Sequence, residues 1–311
     1  MLAGDAVIDA VLLIAFGGPT APHEIQPFLE IVTRGRRIPP ERLSAVAQHY
    51  HRMPGERSPL NELTSAQARG LERTLAERGT LCPVHVGMRN WHPFLAETLA
   101  DMATNGVRRA LGIVLSAFRT ETSWDRYMSD VAAARARVAD APEVVFAPPW
   151  SDRPGFIEAV AARAREKLEE VPEERRAAAP VVFTAHSVPV AMADASPYVS
   201  ELESAARAVA ERLDRSRWSI AYQSRSGNPH EPWLSPDVNE ELKGLASIGD
   251  TDVLVVPIGF VVDHVEVLYD LDVEARAVAA RCGLAVHRAG AVNDHPAFID
   301  MLADLVMESR E

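Results

Sequence analysis

The sequence has little cysteine, few aromatic residues and a deficit of positive charge, and each shortage excludes a class of protein. Its 311 residues include 2 cysteines, Cys82 and Cys282, at a spacing that offers neither a cysteine-bound metal cluster nor a disulfide framework. Aromatic residues make up 6 %, and 44 acidic against 32 basic residues give a net charge of −12. Neither a stacking surface nor a phosphate-binding face for nucleic acid is expected.

Long hydrophobic runs and nucleotide-binding signatures are also missing. The apolar run at 10–16 has the length of a strand, and acidic Asp5 and Asp9 stand where a signal peptide would be basic. We therefore expect a cytoplasmic protein with neither a signal peptide nor a membrane anchor. GxGxxG, Walker A and GxSxG patterns do not occur, which argues against nicotinamide, ATP and serine-hydrolase chemistry.

Short apolar runs alternate with stretches of helical periodicity along the whole chain. The runs predicted as strands are residues 10–16, 84–89, 109–118, 143–149, 180–186, 218–224 and 252–261. The main predicted helices are 61–79, 93–106, 155–171, 198–214, 238–249 and 297–309. Continuous apolar strands separated by helices indicate parallel sheets covered on both faces. The pattern predicts an α/β protein of two Rossmann-like doubly wound domains with the active-site cleft between them.

A proline-rich stretch at 141–155 is the predicted boundary between the domains. We expect an N-terminal domain at 1–145, a C-terminal domain at 146–311 that carries a metal site, and a last helix that packs back on the first domain. In parallel sheets of this kind, ligands bind beyond the carboxyl ends of the strands. The turns after the strands are therefore where functional residues are expected.

One histidine and one glutamate come at the ends of two of the predicted strands. His186 ends the run at 180–186, and Glu266 comes shortly after the run at 252–261. Alone, a histidine at a buried strand end is most often a satisfied core residue. If the two strands lie in one parallel sheet, however, the imidazole faces the carboxylate. Such a pair makes an open, labile site for Fe²⁺ or a proton-abstracting pair, and both interpretations stay open.

Glu266 begins a row of carboxylates that continues with Asp270 and Glu274. In an α-helix each step of four residues drifts by about 40°. Widening toward a π-helix, with about 4.4 residues per turn, would bring the three side chains closer to one line. Such a row suits a divalent cation passed from site to site, and the alternative is a solvated acidic face. Asp263 is the predicted N-cap of this helix.

Basic residues cluster at 33–43 in this otherwise acidic chain, around a glycine and two prolines. The cluster is predicted as a stiff loop rather than a helix, and Ser58 lies in a nearby extension of it. Guanidinium groups bind carboxylates bidentately, so a small polyanion is a suitable ligand. The alternative is an ordinary solvated charge run. The arginines are Arg34, Arg36, Arg37 and Arg42, with Arg52 and Arg57 nearby.

Several segments resemble the ferrochelatases, which insert ferrous iron into a porphyrin. The segments are LLIAFGGPTAPHEIQPFL, RSPLNELTSAQARGLERTL, GMRNWHPFLAETL, FTAHSVP, YQSRSGNPHEPWLSPDV and PIGFVVDHVEVLYDLDVEAR. They occur nearly end to end in the order and spacing of that family, and the AHSVP and GFVVDHVEVLYDLD segments are its specific motifs. The resemblance implies a class II chelatase fold of two Rossmann-like domains and a lyase that acts in heme biosynthesis.

The resemblance also implies roles for individual residues. His186 and Glu266 would be the catalytic pair that handles the metal and the protons, and Asp270 and Glu274 would extend it as a row of metal ligands. Fe²⁺ is then a substrate, and no 2Fe–2S cluster is expected. The residues implied to bind the porphyrin are Phe16, Arg34, Arg36, Tyr50, Ser58, Met88, Asn90, Ser123, Tyr127 and Trp233.

Within the family, the chain is most similar to the short bacterial type that resembles coproporphyrin III ferrochelatases. Its basic loop at 33–43 lies where other members carry a lip over the active-site mouth, and its charge suits a substrate with four carboxylates. No apolar, membrane-docking lip is present. We expect a monomer without stable membrane association that contacts a downstream enzyme of the heme pathway transiently. The alternatives are a protoporphyrin IX ferrochelatase, a cobalt chelatase, and a non-catalytic tetrapyrrole carrier.

The chain departs from some relatives at three positions. Phe16 stands where several relatives have a tyrosine whose phenol can ligate iron in the product. Asn90 stands where some have a histidine, and the neighbouring His92 is not at the matching position. Thr33 stands where some have an arginine that opens the basic loop. An axial tyrosine ligand is therefore not expected in this protein.

Overall fold

The computed structural model describes residues 8–35, 38–226 and 230–310. The chain divides into two compact units. The first contains the described residues up to Ser116, Thr122–Pro149, and the described residues from Phe298 onward. The second contains Ala117–Glu121 and the described part of Trp150–Ala297.

The first unit is built on a four-stranded parallel sheet with the strand order β2-β1-β3-β4. Its strands are β1 (Ala10–Ala15), β2 (Val84–Met88), β3 (Arg109–Val114) and β4 (Glu143–Phe146). Its α-helices include α1 (Ile25–Val32), α2 (Pro40–His51), α3 (Leu60–Glu77), α4 (Leu95–Thr104) and α5 (Arg126–Arg135). Every residue of β1 is buried, as expected for a central strand covered on both faces.

The second unit has a sheet of the same kind, with the order β6-β5-β7-β8 and every pair parallel. Its strands are β5 (Val181–His186), β6 (Trp218–Gln223), β7 (Asp252–Val256) and β8 (Ala285–Arg288). Its α-helices include α6 (Pro154–Leu168), α7 (Glu173–Arg176), α8 (Val190–Asp194), α9 (Tyr198–Arg212), α10 (Val238–Ser247), α11 (Val265–Val267) and α12 (Arg276–Arg281). A π-helix, Leu268–Ala275, joins α11 to α12.

The prediction of an α/β protein with two parallel, helix-covered sheets is confirmed. The last helix, α13 (Pro296–Glu308), lies mostly in the first unit, where Arg78 of α3 forms ion pairs with Asp300 and Asp304 at 2.8 and 2.7 Å. The predicted boundary at residue 145 lies within a few residues of Pro149, where the chain passes from the first unit to the second.

The core of the second unit attaches the π-helix to the sheet. Leu271 and Ala275 of the π-helix pack in one cluster with Val253 and Val255 of β7 and with Leu242 of α10. Burial of each leucine or valine side chain in this cluster contributes about 1.5–3 kcal/mol. One face of the π-helix is therefore held by the core, and its remaining positions are free to carry polar groups.

The basic segment and the strand after α10 differ from their predictions. The sequence predicts no helix in the basic segment 33–43, but α2 begins inside it, at Pro40. Proline is favoured in the first turn of a helix, where its missing N–H removes no hydrogen bond. The strand predicted at 252–261 ends at Val256, because Pro257 has no N–H to continue the ladder.

Strand β8 and helices α1 and α5 are not among the predicted elements. The four residues of β8 carry His287 and Arg288 and are nowhere fully buried, so their pattern does not predict a strand. Within the part of the chain that the structure describes, no helix combines the length and the apolar character needed to cross a membrane.

Candidate active site

The site in the second unit begins where β5 and β7 end. These two strands pair in parallel from Val181–Leu254 to Phe183–Val256, which is the arrangement that the interpretation of His186 and Glu266 requires. The chain after β5 leads to β6 on one side, whereas β7 lies on the other side, so the carboxyl ends meet at the topological switch point of the sheet.

Gly259 presses the turn after β7 against the end of β5. Its N–H donates to the carbonyl oxygen of Thr184 at 3.0 Å. A Cβ atom at this position would lie 2.6 Å from both Cα and Cβ of Ala185, closer than packed atoms approach. Only glycine fits this contact, and it brings the segment that leads to Glu266 against the residue preceding His186.

His186 is held by its neighbours in one orientation. The hydroxyl of buried Tyr198 donates to the carbonyl oxygen of His186 at 2.7 Å. Its Nδ1 lies 2.5 Å from the carbonyl oxygen of Ser187. Because a carbonyl oxygen only accepts, Nδ1 carries the proton in the neutral ring and Nε2 keeps the lone pair. His186 therefore offers Nε2 as a metal ligand or as a base.

Trp233 lies beside the turn after His186. An antiparallel bridge joins Pro189 to Trp233, and Leu234 N–H donates to the carbonyl oxygen of Val188 at 3.0 Å. The Trp233 indole Nε1 is buried and has no hydrogen-bond acceptor among the described residues. The structure thus places the predicted Trp233 and His186 on one short paired segment.

Glu266 lies in the first turn of α11, and its N-cap is His264 rather than the predicted Asp263. The Nδ1 atom of His264 accepts the N–H of Glu266 at 3.2 Å, because the carboxylate of Asp263 is engaged by other groups. The side chain of Gln223 donates to the carbonyl oxygen of Glu266 at 3.0 Å. Burial lowers the pKa of His264, and the negative charge of Glu266 partly offsets this effect.

The row of carboxylates lies on α11 and the π-helix, the winding that would bring the three residues toward one line. The pKa of Asp270 is raised to about 7, first by burial and then by the charges of Glu266 and Glu274, against a hydrogen bond from the Ser224 hydroxyl that lowers it. The three acidic groups therefore interact electrostatically. Among the described residues, no three His, Cys, Asp or Glu side chains are already arranged as a metal site.

In the first unit, the predicted residues Phe16 and Tyr50 belong to an aromatic cluster with Phe28 and Trp91. The Phe28 ring packs edge-to-face against Phe16, Tyr50 and Trp91, with centroids 6.4, 5.9 and 6.0 Å away. Phe16, directly after β1, is 38 % exposed, whereas the other three are buried. The cluster thus presents one aromatic ring to a ligand and supports it from below.

Asn90 is bound to the backbone of Phe16, and Arg89 lies near the rings of Phe16 and Tyr127. The Asn90 side-chain amide and its backbone N–H both donate to the carbonyl oxygen of Phe16, at 3.1 and 3.0 Å. Arg89 pairs with Asp130 at 2.6 Å and lies 4.5 Å from the centroid of the Tyr127 ring. Asn90 therefore supports the backbone of the residue that carries the exposed phenyl ring.

The other predicted substrate-binding residues of the first unit are more scattered. Arg34 is exposed just after α1, and Arg36 and Arg37 lie outside the described residues. Ser58 is buried, and its hydroxyl accepts the Leu60 N–H at 3.3 Å. Met88 is fully buried at the end of β2, and Ser123 lies partly buried in a short π-helix, Glu121–Asp125.

Sequence reasoning misses three residues that shape the site of the second unit: His264, Gln223 and Ser224. His264 has a usable signal, since it stands two positions before Glu266 in the same motif. Gln223 and Ser224 lie at the end of β6, and only the strand order β6-β5-β7 brings them beside residues 266–270.

Comparison with solved structures identifies the class of fold. SirB from Bacillus subtilis, solved with Fe³⁺, superposes with a TM-score of 0.61 at 13 % identity, covering 97 % of this chain and 96 % of that one. A multi-domain protein from Deinococcus radiodurans with structural similarity to chelatases gives a TM-score of 0.54 at 16 % identity. This chain covers 56 % of its length, and the match covers 97 % of this chain. The fold is that of the chelatases.

Sequence comparison defines the family within that fold. The Ferrochelatase family model matches residues 8–310, and the chain belongs to the ferrochelatase family. The coproporphyrin III ferrochelatase of Mycolicibacterium smegmatis is 42 % identical over 96 % of this chain and 89 % of its own length. Those of Frankia alni and Mycobacterium avium are each 44 % identical over 97 % of this chain, and over 80 % and 88 % of their own lengths.

Proposed function

We propose that this protein is a coproporphyrin III ferrochelatase, which inserts Fe²⁺ into coproporphyrin III and releases two pyrrole protons. The observation that carries the proposal is the end of β5, where Nδ1 of His186 is bound to a carbonyl oxygen and the segment that leads to Glu266 packs against Ala185. Relatives at 42–44 % identity with the same activity support it.

The chemistry of the porphyrin ring defines what the protein supplies. A flat porphyrin encloses its two N–H groups in a cavity that a hydrated metal ion enters slowly. Bending the ring exposes the nitrogen lone pairs, so strain supplied by binding energy lowers the barrier. The exposed ring of Phe16, Tyr127 and the indole of Trp233 are proposed to contact the ring faces, with Met88 in the buried layer at the end of β2.

His186 and Glu266 are the proposed catalytic pair. The lone pair on Nε2 suits either ligation of the incoming Fe²⁺ or acceptance of a pyrrole proton. Glu266 supplies the second group of either arrangement. Asp270 and Glu274 are proposed to pass hydrated Fe²⁺ toward the pair, since oxygen ligands hold such a cation loosely. Iron is the substrate throughout.

The substrate preference is proposed to come from the basic segment after α1. Arg34 and Arg36 are assigned to the propionates, with Tyr50, Ser58 and Ser123 completing the propionate contacts and Asn90 supporting the ring at Phe16. A guanidinium group binds a carboxylate through two parallel hydrogen bonds. A porphyrin with four propionates therefore gains more binding energy from these residues than a porphyrin with two.

The proposal extends to how the protein works in the cell. It is proposed to act in the cytoplasm as a monomer, without stable membrane association, and to contact a downstream heme-pathway enzyme transiently. No 2Fe–2S cluster is included, because the 2 cysteines of the chain cannot supply the four thiolates of such a cluster.

The test is anaerobic turnover of coproporphyrin III and protoporphyrin IX side by side, with Fe²⁺ in excess. We expect kcat/KM for coproporphyrin III to be at least ~10-fold higher, about the effect of the lost carboxylate contacts. A preference for protoporphyrin IX would contradict the substrate assignment. Heme binding without measurable iron insertion would instead indicate a tetrapyrrole carrier.

A further inference from the structure

The π-helix that carries Asp270 and Glu274 has a second polar attachment that the proposed chemistry does not use. Asp272 accepts two hydrogen bonds from Arg288, the last residue of β8, with Nε to Oδ1 at 2.9 Å and Nη2 to Oδ2 at 2.6 Å. This is the bidentate geometry in which arginine binds carboxylates most strongly. The edge strand of the sheet is thus tied to the middle of the π-helix.

The same guanidinium group also holds the segment that precedes Glu266. Nη1 of Arg288 donates to Oδ1 of Asp263 at 2.7 Å. The other oxygen of Asp263, Oδ2, accepts from the side-chain Nδ2 of Asn293 at 2.8 Å. The backbone N–H of Asp263 donates to Oδ1 of the same asparagine at 2.9 Å. Asp263 is therefore fixed on both sides, immediately before His264 and Glu266.

Arg288 suits this bridging position in a way that lysine does not. Its side chain is 12 % exposed and is shared between two carboxylates and the carbonyl oxygen of Ala289, at 3.1 Å. A planar guanidinium group reaches three acceptors from a fixed fork, whereas an ammonium group is a single flexible point charge. Lysine would keep the charge and lose the bridge.

We propose that Arg288 is a positioning residue for metal handling: it holds the π-helical winding and the start of α11 in the register that aligns Glu266, Asp270 and Glu274. The inference rests on the proposed role of those carboxylates toward Fe²⁺. Without the bridge, the segment relaxes toward α-helical winding, and the carboxylates turn away from their common line. Porphyrin binding, which the proposal assigns to other residues, is left intact.

The test compares Arg288→Lys with Arg217→Lys in the full-length protein. Arg217 pairs bidentately with Asp250 at 3.1 and 2.8 Å and donates to the carbonyl oxygen of Ala178 at 2.9 Å, on the amino-terminal edge of the same sheet. It is the matched control, more exposed but with the same bonding pattern. Neither Arg217 nor Asp250 has a role in the proposed site.

We expect Arg288→Lys to raise the KM for Fe²⁺ by about tenfold, because one metal ligand is no longer well aligned. The Kd for Co²⁺, measured by calorimetry on the porphyrin-free protein, should rise by about the same factor. The KM for coproporphyrin III should stay within about twofold. Amide hydrogen exchange of residues 264–276 should accelerate in Arg288→Lys and stay unchanged in Arg217→Lys.

Unchanged Co²⁺ affinity together with unchanged exchange at 264–276 would overturn the proposal, as would equal effects of the two substitutions. If Arg288→Lys does not fold, Asp272→Asn removes the π-helix arm alone and should change the same quantities in the same direction. The Co²⁺ and exchange measurements do not require turnover. A wild-type protein that inserts no iron would therefore contradict the proposed function and leave the positioning role to be decided by these two measurements.

Discussion

The two units share one strand order but differ in one residue at the carboxyl end of the corresponding inner strand, β1 or β5. In the first unit β1 has β2 and β3 as neighbours, and in the second β5 has β6 and β7. The chain leaves β1 through Phe16, an exposed aromatic ring, and leaves β5 through His186, an oriented imidazole. The same frame thus presents an aromatic ring in one unit and, in the other, the imidazole that is proposed to act as a base or a metal ligand.

At the amino-terminal ends of their strands, the two sheets are alike. Asp9 precedes β1 and accepts the N–H groups of Arg108 and Arg109, both at 2.9 Å. Asp252 opens β7, where it accepts from His287 at 2.9 Å and pairs with Arg175 at 2.7 Å. Both sheets thus use a carboxylate to stabilise the amino-terminal edge. The difference between Phe16 and His186, by contrast, lies at the carboxyl ends of the strands.

The largest effect is expected when the imidazole that distinguishes the second unit is removed. His186→Ala should lower kcat for iron insertion about 10³-fold or more, the range expected for loss of a group that transfers protons or holds the metal. His287→Ala, at the other edge of the sheet, is the control and should retain most of the activity. The measurement is anaerobic formation of the iron porphyrin, monitored by absorbance. Near-normal insertion by His186→Ala would remove His186 from the mechanism.

The next largest effect concerns the close contact that assembles the site. Gly259→Ala places a Cβ 2.6 Å from Ala185 Cα and should cost about 2–3 kcal/mol of unfolding free energy through overpacking. Gly244→Ala in α10, where no atom lies within 4 Å of the added Cβ, should instead stabilise by about 0.5–1 kcal/mol. Urea unfolding of both variants checks this pair. Equal stabilities would mean that the turn yields freely.

The carboxylate of Asp252, at the amino-terminal end of β7, predicts that the stability of the fold depends on pH. Burial alone would raise the pKa of Asp252, but hydrogen bonds from His287 and Thr251 hold it below its usual range. A lowered pKa means that the ionised group stabilises the fold above the ordinary pKa of about 3.9, and that this contribution is lost as the pH falls through the folded value.

Asp252→Asn should therefore cost about 2 kcal/mol at pH 7, because one amide cannot accept from every donor around it. The difference from the wild type should shrink as the pH falls below 4, within the pH range where both proteins stay folded. Asp9→Asn should cost about 1 kcal/mol, since a single amide oxygen can accept both N–H groups. A constant difference across pH would contradict the assignment of the Asp252 charge.

The smallest expected effect tests the departure at Phe16. Phe16→Tyr adds a hydroxyl at an exposed ring, so stability should change by less than about 0.5 kcal/mol. We expect kcat to stay within about twofold, while the absorption spectrum of bound iron coproporphyrin changes through ligation by the phenol. Phe28→Tyr, beneath the surface of the same cluster, is the control and should leave that spectrum unchanged. An unaltered spectrum in Phe16→Tyr would mean that the ring does not face the metal.

Much of the second unit could be predicted because its signals are local. The apolar runs of β5 and β7 and the spacing of Glu266, Asp270 and Glu274 are readable along the chain, and the structure has the strands paired and the segment partly π-helical. In the first unit, prolines and arginines at 33–43 hide the start of α2. Local pattern does not report that Pro40 occupies a first helical turn.

The remaining contacts join residues that are distant along the chain. Ser224 reaches Asp270 only because β6 and β7 flank β5, and Arg288 reaches Asp272 and Asp263 only because β8 pairs with β7. None of these contacts has a fixed spacing in sequence. A short, half-polar strand such as β8 leaves no apolar run to detect, so the residue that ties the site together lies in an element that the sequence does not predict.

The π-helix has a consequence for insertions and deletions in this chain. A π-helical turn is equivalent to an α-helix that has gained one residue, so deletion of a single residue within Leu268–Ala275 would restore regular α-helical winding. The core contacts of Val267 and Ala279 lie on either side of that change, whereas those of Leu271 and Ala275 lie inside it and would have to shift. The protein would fold at the cost of one misaligned carboxylate row. Under the proposed function, chain length in this segment is thus constrained by the alignment of the carboxylates as well as by folding.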